Sequence, residues 1–287
     1  MEAPPRVSEL RRIAKVFLER KLAVFGIIVI LLFIITAIFA PQLAPHNPYQ
    51  QSMADSLHQP STKYLLGADQ VGRDILSRLI YGSRSALMIG LVSICIAASI
   101  GMTLGLIAGY FGGWAHMIIM RLIDSLMSFP MLLLALVLAA LFGGGLKSAM
   151  IAIGISLMSV YARLMCGQVL TVKENDYIMA AHSLGASHQR IMLRHILPNC
   201  FPPLIVLVTM NMGFAILTGA GLSFLGIGIE PPGADWGNMI SVGYTYLMMR
   251  PFYSIAPGLA IMLVVFSFNM VGDGLRDALD PRLRGII

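Results

Sequence analysis

Few side chains in this 287-residue sequence carry reactive chemistry, and their spacing argues against catalysis. His182, His188 and His195 fall in one short stretch, but separations of six and seven residues do not set them on one helical turn, as zinc ligands normally require. They suit a surface or docking role. Cys95, Cys166 and Cys200 are odd in number and far apart, so no disulfide framework or metal cage follows from them, and packing is their expected use. No Gly-x-Ser-x-Gly elbow and no His-Glu-x-x-His pair occurs, which removes two common hydrolase arrangements. A phosphate-cradling Gly-x4-Gly-Lys-Ser/Thr loop is missing too, since the nearest string, Gly143 to Ser148, lacks the adjacent Gly-Lys. The expectation is no catalytic residue, no metal site and no cofactor bound by this chain.

Three polar features sit inside apolar surroundings. Arg121 and Asp124 lie three residues apart, where they can pair on one helix face, as a local ion pair or as part of a gate. Asn211 and Asn269 each interrupt an apolar run, where an amide either contacts something in transit or bonds a neighbouring helix. No chain of buried carboxylates or histidines crosses the apolar segments, so proton coupling lacks support and any path should be mostly neutral.

The elements that hold these residues are read from composition. Hydrophobic residues make up 57% of the chain and charged residues 12%, outside the soluble globular range. Six apolar runs have the length that crosses a bilayer: Leu22 to Ala40, Ser85 to Tyr110, Met117 to Phe142, Ala149 to Met165, Phe201 to Leu225 and Ile255 to Val271. Runs this long and unalternating belong to helices, so the fold class is an all-α polytopic membrane bundle of six transmembrane helices. Pro130 is expected to kink the third. The first run exceeds the apolar core of a signal peptide and is read as an uncleaved helix.

Fourteen of the 20 Lys and Arg residues fall on one side if the N-terminus is cytoplasmic, which makes both termini cytoplasmic. The net charge of +6 is explained by these flanks, with no aromatic-interleaved patch to suggest nucleic acid as a partner. The chain divides into a basic cytoplasmic segment (1–21), a first span (22–40) and an extracytoplasmic and interfacial segment (41–84). A five-helix core (85–275) with a cytoplasmic loop (167–199) and a cytoplasmic tail (276–287) follow. Gly101, Gly105 and Gly109, preceded by Ala97, form a small face in the second span that permits close helix packing.

The cytoplasmic loop is polar and basic between two apolar spans. Asp176 opens it, Ala180 and Ala181 give a flat helix face, and Gly185 supplies the freedom to turn, followed by Ala186. Arg190 and His195 lead to Pro198, which marks entry into the next helix. Two alanines, three residues, a glycine and a Leu-Pro close resemble the coupling loop, or EAA loop, of ABC importer permeases. That resemblance implies that Asp176, Ala180, Ala181, Gly185, Ala186, Arg190, His195 and Pro198 seat in a groove on a separate ATPase. Met179 stands where the family usually has Glu, so a salt bridge from that position is not expected.

A second pattern runs from Leu66 to Ser85, where charges alternate with apolar residues in the manner of an interfacial helix. With the stretches Leu222 to Gly237 and Phe268 to Pro281, it is similar to the dipeptide, oligopeptide and nickel branch of ABC permeases. The resemblance covers most of the chain from Gly67 onward. It implies the type I importer permease fold in a bacterial inner membrane, a second homologous permease subunit, two ATPase subunits that bind ATP and Mg, and an extracytoplasmic substrate-binding protein. The implied cargo is di- or oligopeptides, with nickel chelates, glutathione or opines as alternatives. An ATP-independent channel or secondary carrier is the competing class, and absence of internal inverted symmetry counts against it.

Overall fold

The computed structural model describes residues 6–279, and every described regular element is helical. Helix α1 (Arg6–Glu19) precedes α2 (Lys21–Ile38), the first helix long and apolar enough to cross a membrane. The one-turn helix α3 (Ala40–Leu43) leads into a polar cap that contains a single 3-10 turn, Met53–Asp55. Helix α4 (Ile75–Phe111) begins where the Asp74 carboxylate accepts the Ser77 backbone N–H at 2.9 Å, satisfying one of the donors that every helix start leaves open.

The third apolar run differs from the kinked helix expected of it. It divides into α5 (Gly113–Met127) and α6 (Met131–Leu141), bent by 94° at the break. Pro130 cannot donate its i−4 hydrogen bond and biases Phe129 away from helical geometry, so the chain turns instead of bending slightly. Five helices are thus long enough to span, or six if this bent pair counts as one. Helix α7 (Gly145–Lys173) follows, then α8 (Asp176–Ser183) and a continuous run of α9 (His188–Arg190), a π-helical turn (Ile191–Ile196) and α10 (Leu197–Phe224). After a loop come the short helix α11 (Trp236–Tyr244) and α12 (Phe252–Leu279). Because α7 continues to Lys173, the loop expected from residue 167 begins about two turns later.

Helix α7 packs most extensively on α4, and the glycine face explains the fit. A Cβ at Gly101 would lie 2.3 Å from the Met158 carbonyl oxygen, and one at Gly105 would lie 2.4 Å from that of Ala162. Backbone atoms cannot move aside, so the two helices meet main chain to main chain. Buried Tyr161, Met165 and Val169 then close the core around this seam, with Cys166 and Cys200 also buried. Cys95 is exposed.

The stretch Leu66 to Ser85 is a second difference. No helix covers its first half: residues 67–74 form a tight turn closed by an Ala68–Asp74 bridge, and the charges fold inward. Asp69 is fully buried, its carboxylate accepting the backbone N–H groups of Val71 and Arg73 and the Arg73 Nε–H at 2.6 Å. Alternating charge indicates an amphipathic surface, whereas Asp69, Arg73, Asp74 and Arg78 are buried and only Arg84 stays exposed.

Candidate functional site

The polar element from Asp176 to Asn199 is built outward from a few anchors. Ile178, Ile191 and Ile196 are buried and hold it to the core. Lys173 Nζ donates to the Tyr110 carbonyl at 2.9 Å, and Tyr110 Oη and His188 Nδ1 share a hydrogen bond of 2.7 Å, so the C-terminal ends of α4 and α7 are tied to α9. His182 packs edge-on against His188 with ring centroids 5.5 Å apart. Among the described residues no three His, Cys, Asp or Glu side chains gather as a metal set.

Helix α8 ends in a Schellman motif: Gly185 N–H donates to His182 O at 3.0 Å and Ala186 N–H to Ala181 O at 3.1 Å, with Gly185 at φ +79°. Only glycine takes this backbone region without steric cost. The cap leaves Leu184 at the tip, 87% exposed, with Met179, Ala180 and Gly185 exposed beside it and Ala181 and Ala186 half-buried. An apolar knob this bare has no partner within the described chain, and no heavy atom outside Gly185's immediate neighbours lies within 4 Å of the space a Cβ there would occupy. Ser187 then caps α9, its Oγ accepting the Arg190 N–H at 3.4 Å. Asn199 Nδ2 donates to the His195 carbonyl at 2.6 Å and to Tyr177 Oη at 3.2 Å, which ties the start of α10 to α8, with Pro198 in the first turn of α10. Asp176, in the first turn of α8, is exposed and complements the helix dipole.

The membrane polar residues are placed differently from one another. Asn269 Nδ2 donates to the Val265 carbonyl of its own helix at 2.9 Å, whereas Asn211 Nδ2 and Tyr161 Oη are both buried without a hydrogen-bond partner. Asp124 pairs with Arg163 of α7 and not with Arg121, which has no acidic partner among the described residues. The i,i+3 spacing made Arg121 the expected partner, and a non-local helix contact supplied Arg163 instead. Sequence spacing carries no signal for such a pair. A cavity of about 510 Å³ opens between the C-terminal half of α7, the N-terminal half of α10 and the C-terminal end of α12, lined by Leu164, Gln168, Pro202, Pro203, Met210 and Arg276 among others.

On the opposite side the cap is locked by a buried arginine. Arg78 donates from Nη1 to the carbonyls of Pro48 and Pro232, each at 3.2 Å, and from Nη2 to that of Gly233 at 3.0 Å, with Asp69 beside its Nε at 3.7 Å. Trp236 Nε1–H donates to the Leu79 carbonyl at 2.8 Å. At the cap surface, hydrogen bonds from Lys63, Ser52 and Tyr64 hold the Asp55 carboxyl down at about 2.

Residues 101–285 match the family described as the binding-protein-dependent transport system inner membrane component, and residues 8–60 match the N-terminal TM domain of oligopeptide transport permease C. The chain is 42% identical over 278 residues to a dipeptide transport system permease protein of Alkalihalophilus pseudofirmus, covering 97% of this chain and 91% of that one. It is likewise 42% identical to a glutathione transport system permease protein of Pectobacterium atrosepticum, covering 93% and 89%. Among solved structures, an inward-facing MetNI methionine ABC transporter shares the fold with a TM-score of 0.59 at 17% identity, over 72% of this chain and 98% of that chain.

Proposed function

The chain belongs to the family of binding-protein-dependent transport inner membrane components, the permease subunits of ABC importers, and from that premise we propose that it carries di- or oligopeptides across the membrane together with a second, homologous permease. It is a multi-pass membrane protein and a transport component, not an enzyme. Two ATPase subunits holding ATP and Mg would supply the energy, and an extracytoplasmic binding protein would deliver the cargo. Both termini and the α8–α9 element face the cytoplasm of a bacterial inner membrane in this reading, which the distribution of Lys and Arg supports.

The observation that carries the reading is the bare Leu184–Gly185 tip, held out by a Schellman cap and braced by Tyr110 and Lys173. Asp176, Ala180, Ala181, Ala186, Arg190, His195 and Pro198 frame it and would seat in the ATPase groove. Asn211, with its unpartnered amide, and Asn269 are assigned to helices that line the path. A peptide's ammonium and carboxylate make hydrocarbon prohibitive, which is why such cargo needs a protein-lined route. Glutathione is the second reading, favoured by the similarity to the Pectobacterium atrosepticum permease. Gentle purification from native membranes followed by mass spectrometry tests the assembly: a sister permease and ATPases should co-purify. Recovery of this chain alone would overturn it.

A further inference from the structure

Tyr110 lies in the last turn of α4, and its neighbours make that end part of a rigid pair of helices. A Cβ on Gly109 would lie 2.7 Å from Val169 Cβ and 3.0 Å from the Cys166 carbonyl oxygen, so the main-chain seam between α4 and α7 runs unbroken to the residue before Tyr110. Lys173, the last residue of α7, donates to the Tyr110 carbonyl and lies 5.9 Å from the centre of its ring. Beyond Phe111 the chain leaves at once, because Gly112 and Gly113 take φ of +66° and +49° with open space around both. Tyr110 therefore stands where the α4–α7 pair ends and the chain turns away.

The α8–α9 element joins this pair and α10 through irregular backbone. Glu174 and Asn175 break the helix between α7 and α8, and the π-helical turn Ile191–Ile196 separates α9 from α10. Neither stretch has the regular i→i−4 ladder that stiffens an α-helix. The buried anchors Ile178, Ile191 and Ile196 hold by apolar contact, which is non-directional. The directional link is the 2.7 Å bond between Tyr110 Oη and His188 Nδ1. Among the described residues it is the only side-chain hydrogen bond from residues 176–196 to α4 or α7. The Tyr110 ring is buried and meets Phe111 and His188 edge-on, with centroids 5.1 and 5.6 Å away. A phenol donates to a bare Nδ1 and accepts from a protonated one, so the bond persists in either charge state of the imidazole.

We propose that the Tyr110–His188 hydrogen bond is the strut that carries ATPase movement from the Leu184 tip to the α4–α7 pair, with Tyr110 as a positioning residue for transport. This role rests on the permease reading and names the contact through which the docking element drives the bundle. A partner that grips the tip displaces α8 and α9 together, since the Schellman cap and the Ser187 cap fix their junction. With the strut in place, that displacement carries the end of α4, and the glycine seam passes it to α7. Without it, the apolar anchors slip and the π turn absorbs the shift, so ATP is hydrolysed while the bundle stays behind. Loss of one hydrogen bond of this kind shifts an equilibrium by about fivefold, which sets the size of the uncoupling. Docking itself survives, because Tyr110 is buried behind His188 and away from the bare tip.

The test is the amount of ATP hydrolysed per substrate imported, measured on the whole complex in proteoliposomes with its binding protein. The probe is labelled dialanine or glutathione, whichever the wild-type complex accumulates. Tyr110→Phe deletes the hydroxyl and keeps the ring, and His188→Phe keeps a ring beside Phe111 while removing the nitrogen. In both, the ATPases should co-purify at wild-type yield and hydrolysis stimulated by the binding protein should stay near the wild-type rate, while ATP per substrate rises about fivefold. His188→Asn, whose amide offers a donor and an acceptor close to where Nδ1 stands, should keep the ratio near wild type. A bond needed only for folding or docking would lower hydrolysis and uptake together and leave the ratio unchanged, and that result would overturn the strut. A ratio raised as much in His188→Asn as in His188→Phe would overturn it too, by assigning the effect to imidazole packing. Either result leaves the permease reading standing. Failure of the wild-type complex to accumulate either probe with ATP would overturn that reading, and the strut with it.

Discussion

Arg78 in the first turns of α4 donates to the Gly233 carbonyl at 3.0 Å, joining residues more than 150 positions apart. The same guanidinium holds the carbonyls of Pro48 and Pro232 at 3.2 Å, so one side chain ties the cap to the loop before α11. Arg78→Met should remove the donor from the buried Pro48 carbonyl and from those of Pro232 and Gly233, take a cation from beside buried Asp69, and lower stability by about 2–5 kcal/mol. Arg78→Lys should recover little, because an ammonium cannot reproduce the fork. Thermal unfolding of the detergent-solubilised complex checks both, and an unchanged melting temperature in Arg78→Met would refute the bracket.

The α4–α7 seam gives a second expectation. Gly105→Ala places a Cβ 2.4 Å from the Ala162 carbonyl oxygen, which is backbone and cannot yield, so the helices must separate. A loss of about 1–3 kcal/mol follows from overpacking of this kind. Gly167→Ala, with nothing within 4 Å, serves as the control on the same pair of helices and should be near neutral. Equal melting temperatures for the two variants would contradict the seam.

At the α8–α9 tip, Gly185→Asp forces a side chain into φ +79° and adds a charge beside bare Leu184. Ala181→Arg thickens the half-buried flat face of α8. Each should abolish transport and ATPase co-purification while membrane insertion stays intact, as should Leu184→Asp, which alters the tip without straining the backbone. Normal uptake in these variants would exclude the tip as the docking surface.

The cap has a pH signature. Hydrogen bonds from Lys63, Ser52 and Tyr64 hold the Asp55 carboxyl at about 2, below the usual value of 3.8. A depressed folded-state value means that its stabilisation is fully present above about pH 4 and is lost as pH falls toward 2. Hydrogen exchange at residues 52–64 should therefore be flat from pH 7 to 4, after correction for intrinsic rates, and loosen below that. Asp55→Asn should remove the acid-dependent step, and a step that persists in the variant would assign it elsewhere.

Legibility in the sequence followed the range of the forces involved. Long apolar runs such as Leu22 to Ala40 became helices because a bilayer leaves the backbone few options, and the glycine repeat from Gly101 to Gly109 became a packing seam because small faces have one main use. Gly185 was equally readable, since a helix stop needs a residue tolerant of positive φ. The break at Pro130 was visible as a kink but not as a 94° turn, because its size depends on what α5 and α6 pack against. Asp124 shows the limit most clearly. Local spacing offered Arg121, and the fold supplied Arg163 from 39 positions away, a choice made by tertiary packing alone. The inward-folded charges at Asp69 and Arg73 were hidden for the same reason: alternation in sequence is identical whether the turn faces water or the protein.

Substrate uptake into proteoliposomes containing this chain alone or the full set of co-purified subunits distinguishes a permease subunit from a self-sufficient carrier. A permease subunit gives no uptake by the chain alone, and peptide uptake by the complex that requires ATP and the binding protein. Accumulation by the isolated chain without ATP would contradict it and establish a self-sufficient carrier.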